Sequence, residues 1–169
     1  MPSQPQMFMQ PDNPSDVVYT PKRVAVDLVN TFKPTGKILE PCMGEGAIFD
    51  NFPKTEELFW CEIEKGVDFF SFSEEMDWII TNPPYSILTK FLDHSLHIAK
   101  NVVFLIPLHN YFRSGKLMEL GYRYGWMKHI RWYGSGRSIG FEMGNPVGAI
   151  HFERGYYGPT TWSKYKYTR

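Results

Sequence analysis

The sequence predicts an α/β domain with a mostly parallel sheet, helices on both faces and an antiparallel closing strand. Three observations predict it. Apolar runs short enough for buried strands, such as residues 78–81 (WIIT) and 101–107 (NVVFLIP), alternate with helix-period stretches. A strand runs into the glycine turn Gly44-Glu45-Gly46. Another strand stops at the proline pair of Asn82-Pro83-Pro84-Tyr85, where open α/β sheets keep their ligand crevice.

Each element follows from its residues. Residues 1–16 are rich in Pro, Gln and Met and read as a flexible arm. Thr20 and Pro21 open a helix as N-cap and first helical residue, Val24, Leu28 and Val29 give it an apolar face, and Lys33-Pro34 end it. A first strand, 37–39, leads into EPCMGEG and then a helix over 47–52. A second strand, 58–61, ends at Glu62, the position from which an acid grips ribose hydroxyls in such folds. After the central strand a helix spans about 86–99, followed by the buried strand 101–107 and a loop over 108–114. A glycine-interrupted helix covers 115–126 and strands cover 128–133 and 147–153. Four glycines between those last strands predict a mobile loop. The domain is expected over 17–158, with a basic, aromatic tail over 159–169.

Composition narrows the functions. Hydrophobic content of 43% with 21% charged residues fits a globular core, and no apolar run approaches a membrane span. With no signal pattern at the start and only Cys42 and Cys61, the expectation is a cytoplasmic protein with reduced thiols. His94 and His97 share a helix face without a third ligand, so no metal site is expected. The net charge of zero hides a split: residues 1–112 sum to −7 and residues 113–169 to +7. A basic half interleaved with aromatics points to a polyanion partner.

The NPPY stretch carries the chemistry. Two prolines fix φ and remove two N–H donors, so the Asn82 and Pro83 carbonyls are held in nearly fixed directions. Asn82 adds an amide oxygen and Tyr85 an aromatic plate. Such a cluster suits a planar group bearing NH2. Acceptors that take both N–H groups favour the tetrahedral amine, whose lone pair can attack an electrophilic methyl. The proton becomes acidic only as the methyl arrives, so a neutral amide suffices.

Together these motifs resemble the class I S-adenosylmethionine-dependent methyltransferases, specifically their DNA adenine-N6 group, with a Rossmann-like sheet. Residues 19–107 carry the resemblance and 127–153 fit its closing strands. The resemblance implies that Glu40, Pro41, Gly44 and Gly46 form the cofactor loop holding the methionine part of S-adenosylmethionine. It further implies that Glu62 binds the ribose, that Asp68 and Phe69 hold the adenine, and that Thr20 and Pro21 close over the cofactor carboxylate. Asn82, Pro83, Pro84 and Tyr85 match the catalytic motif. The target adenine would be flipped out of DNA onto Tyr85. Phe141 is either the second wall of that pocket or a loop anchor, and Arg113, Lys116 and Arg137 would contact phosphates. Only five residues separate Glu62 from Asp68, so the third strand should be reduced or absent. No separate target-recognition domain is expected, which would fit the compact methyltransferases of phages and mobile elements. A homodimer or a partner specificity subunit could supply sequence reading. RNA adenine, a protein glutamine and a non-catalytic nucleic-acid-binding subunit are the competing readings. The basic half argues against glutamine, and the intact NPPY and glycine loop argue against a non-catalytic role.

Overall fold

A computed structural model of the chain describes residues 18–167. The arm expected over 1–16 and the base Arg169 lie outside the described residues. Seven strands form one sheet: β1 (Lys37–Glu40), β2 (Glu57–Trp60), β3 (Met76–Thr81), β4 (Ala99–Pro107), β5 (Met127–Ser135), β6 (Pro146–Glu153) and β7 (Thr161–Lys164). Their spatial order is β2-β1-β3-β4-β6-β5-β7. The pairs β2·β1, β1·β3 and β3·β4 are parallel, while β6 runs antiparallel to both β4 and β5. The antiparallel closure is therefore as expected. Among the described residues no strand lies beyond β2, and the chain turns back there through a single bridge between Glu62 and Val67.

Two apolar layers sandwich the sheet. On one face α1 (Lys22–Phe32) buries Val24, Ala25, Leu28 and Val29 against Ile38, Ile80, Val103 and Leu105. On the other, α2 (Leu88–Ile98), α3 (Leu108–Phe112) and α4 (Gly115–Tyr124) cover Ile79, Val102, Phe104 and Ile150. Alternation along each strand sends successive side chains to opposite layers. In β4 only Lys100 is exposed, because the strand is covered on both faces.

Four local expectations are corrected. The stretch 47–52 forms only a 3-10 turn, Phe49–Asn51, which ends before Pro53. Residues 108–112 are helical instead of a loop, with Ser114 then capping α4 through the Leu117 N–H. The glycine-rich segment holds a short helix, α5 (Gly136–Ile139), packed onto α1: Arg23 donates to the carbonyls of Ile139 and Ser138. Finally, the segment expected as a tail joins the sheet, since β7 pairs in parallel with β5 from His129↔Thr161 to Trp132↔Lys164.

Candidate active site

From β1 the chain runs outward to β2 on one side, then crosses back to β3 on the other side of β1. The crevice of this sheet therefore opens at the C-terminal ends of β1 and β3. Glu40 ends β1 and Asn82 follows β3, so the two expected motifs meet there.

The glycine loop turns on left-handed backbone. Gly44 has φ +53° and Gly46 has φ +85°, a region where side chains are strained. Space above the Gly44 Cα is open, while a Cβ on Gly46 would stand 3.3 Å from the Asp50 carboxylate. Glu62 faces the loop: its Oε2 accepts from the Gly44 N–H at 2.6 Å and its Oε1 from the Glu64 N–H at 3.3 Å. Each oxygen keeps lone-pair capacity for a hydroxyl donor. Glu40 is buried, and its Oε2 has no hydrogen-bond partner among the described residues. Burial pushes its carboxyl well above the usual range. A hydrogen bond from the Phe49 backbone opposes this shift, and the Glu62 and Asp50 charges add to it. An ammonium group against that oxygen would relieve both the missing bond and the like charges. These residues fit the amino-acid end and ribose of the cofactor implied by the sequence. Pro41 is buried beside Glu40.

The adenine contacts are less as expected. Asp68 is exposed and caps a 3-10 turn, accepting from Phe70 N–H at 3.0 Å. The Phe69 ring lies in the core, 4.5 Å from that of Phe91, so it has no free face for a base.

The NPPY segment is tied to the residues before α1 and braced within itself. The Asn82 Nδ2 donates to the Val18 carbonyl at 2.8 Å and to Thr20 Oγ1 at 3.3 Å. Asn82 Oδ1 accepts from the Tyr85 hydroxyl at 3.0 Å. Thr20 therefore does not cap α1. Pro21 occupies the cap position, and its carbonyl accepts from Val24 and Ala25. Beside Tyr85 opens a cleft of 670 Å³ between α2 and the α3–α4 pair, lined by Thr89, Asn110, Arg113, Ser114 and Leu117. Sequence reasoning placed Arg113 here but missed Asn110, Thr89 and the Val18 carbonyl. A backbone acceptor leaves no signal in residue identity. Asn110 could have been found only by knowing that 108–112 is a helix.

Of the remaining candidates, Lys116 is exposed on the first turn of α4, and Arg137 is exposed on α5 and folds back onto the Glu142 carbonyl. Phe141 is 5% exposed in the α1 layer, so it anchors its loop and the reading as a pocket wall is corrected. The expected histidine pair makes separate contacts, His94 with the Phe72 carbonyl and His97 with Asp93 and Tyr124.

No protein-family model and no curated protein matches the chain. Solved structures do match. The modification subunit of a candidate type I restriction enzyme from Vibrio vulnificus superposes with a TM-score of 0.64 at 15% identity, covering 90% of this chain and 48% of that one. The methyltransferase subunit of a type I restriction-modification system from Streptococcus thermophilus gives 0.62 at 14%, covering 82% and 45%. A candidate RNA methyltransferase from Pyrococcus horikoshii gives 0.54 at 13%, covering 79% and 82%. The fold is thus that of the class I S-adenosylmethionine-dependent methyltransferases. The chain spans under half the length of the two type I subunits. No helix among the described residues is long and apolar enough to cross a membrane.

Proposed function

We propose that the protein transfers a methyl group from S-adenosylmethionine to the N6 amine of an adenine in DNA, flipped into the cleft beside Tyr85. The observation that carries this reading is the oriented amide of Asn82, whose oxygen is turned toward Tyr85 while its nitrogen is tied to Val18 and Thr20. An acceptor beside an aromatic ring, at the end of the strand next to the glycine loop, is the minimum that exocyclic amine methylation needs.

In this reading Glu40 and the Gly44–Gly46 turn hold the cofactor's amino-acid end, Glu62 its ribose, and the Asp68 carboxylate its adenine amine. When bound, the cofactor supplies an electrophilic methyl on a sulfonium. Asn82 Oδ1 and the Pro83 carbonyl accept the two N–H bonds of the target amine and direct its lone pair away from the ring. The Tyr85 hydroxyl yields the Asn82 oxygen to the substrate, and its ring stacks on the base. Arg113 takes a flanking phosphate, with Lys116 and Arg137 further along the rim. Sequence reading falls to loops, to a second copy or to a partner subunit.

RNA is the second reading, favoured by the likeness to the Pyrococcus horikoshii protein. The test is to incubate the chain with labelled cofactor and either DNA or RNA, digest to nucleosides and identify the product. N6-methyladenine from DNA supports the proposal. The same product from RNA alone moves the substrate, and label in protein alone overturns it.

A further inference from the structure

An asparagine amide has a donor end and an acceptor end of nearly equal size. If it turned over, Asn82 would offer NH2 to an incoming NH2, and the site would repel its substrate. Something must decide which end faces the cleft. NPPY cannot decide it, because Pro83 and Pro84 have no N–H to offer and the Tyr85 hydroxyl can donate to an oxygen or accept from an NH2.

The deciding contact comes from the segment before α1. The Val18 carbonyl can only accept, so the amide atom 2.8 Å from it must be the nitrogen. Thr20 Oγ1, 3.3 Å away, takes the second proton of that nitrogen. Both amide protons are then used, and Oδ1 is left pointing at the Tyr85 hydroxyl. The segment is itself anchored. The Pro21 carbonyl starts α1, and Arg23 on that helix holds the carbonyls of Ser138 and Ile139 on α5.

We infer that Thr20 is a positioning residue: its hydroxyl takes the second amide proton and holds Asn82 in the sense that the Val18 carbonyl sets. The inference rests on the reading above in that Asn82 Oδ1 is the acceptor for the amine. It adds that a residue expected to cap α1 and to close over the cofactor acts on the Asn82 side chain.

The experiment uses the full chain with Thr20→Val, which keeps shape and removes the hydroxyl, and Thr20→Ser, which restores it. In 15N-labelled protein the Asn82 side-chain amide is identified by its loss in Asn82→Ala. Thr20→Val should move one of its two protons upfield and speed its exchange with water, and Thr20→Ser should restore both. In single-turnover transfer, Thr20→Val should be slower by about tenfold, the scale of one hydrogen bond, with Thr20→Ser recovered. In an Asn82→Ala background Thr20→Val should cost nothing further. Unmoved amide protons, or an equal loss with and without Asn82, would overturn the inference. If wild type transfers no methyl to any acceptor, the methyltransferase reading fails, while the amide protons still decide the placement of Thr20.

Discussion

Asn82 offers one acceptor, and its neighbours decide how well that acceptor is aimed. Two predictions belong at this scale. Asn82→Asp keeps an oxygen toward the cleft but sets a second oxygen against the Val18 carbonyl, where a donor now stands. It should therefore fail to support transfer, and the same assay used for Asn82→Ala checks it. Gly46→Val forces a branched side chain to φ +85° and against Asp50. Cofactor affinity by titration calorimetry should fall sharply. Both sites were legible in the sequence because proline pairs and glycine turns announce themselves. The buried Glu40 oxygen, without a partner among the described residues, and the Val18 contact were not, because they depend on what the fold brings near.

Among the elements, α1, β5 and β7 are locked together by one cluster. Arg131 reaches Asp27 through Nη2 at 2.6 Å and Nε at 3.0 Å, Tyr133 donates to Asp27 at 2.8 Å, and Arg131 Nη1 reaches Ser163 at 3.2 Å. An acid inside the apolar stripe of α1 was the available signal for this cluster. Asp27→Ala leaves the guanidinium poorly paired and should cost about 3 kcal/mol, the low end for a buried pair because both side chains keep some exposure. Urea unfolding would measure it. On the same sheet face His151 is buried, stacked on Trp78 at 5.1 Å and bonded to Asn101 Oδ1 at 2.9 Å. Burial, helped by the Lys128 charge, lowers its pKa to about 4. The unfolded chain then binds a proton that the folded chain refuses. Stability is complete above about pH 6.5 and declines as pH falls toward about 4, by about 3 kcal/mol in all. Melting temperatures across that range should fall for wild type and flatten for His151→Gln.

For the whole molecule, the mostly parallel sheet, its antiparallel closure and the helices on both faces were readable from apolar runs and helical periods. The strand β7 was not. Four residues of mixed polarity, with Trp162 56% exposed, carry no alternation signal. Removing everything after Gly158 would strip β5 of its edge partner, so it is a poor test of nucleic-acid contact. Replacing Lys164 and Lys166 by alanine keeps the strand. If both bases touch phosphates of duplex DNA, the log–log salt slope of binding should become shallower by roughly 0.9 for each, with cofactor affinity unchanged. A salt series on wild type and the double variant would read this directly, and equal slopes would remove the tail from the interface.

The central claim is that Asn82 assists the chemical step and not the binding of the cofactor. Single-turnover methyl transfer by wild type and Asn82→Ala, with cofactor affinity measured on the same samples, tests it most directly. The account predicts a transfer rate lower by about 10²–10³-fold, equivalent to about 2.7–4 kcal/mol of barrier, with affinity nearly unchanged. Equal transfer rates, or a loss explained wholly by weaker cofactor binding, would contradict it.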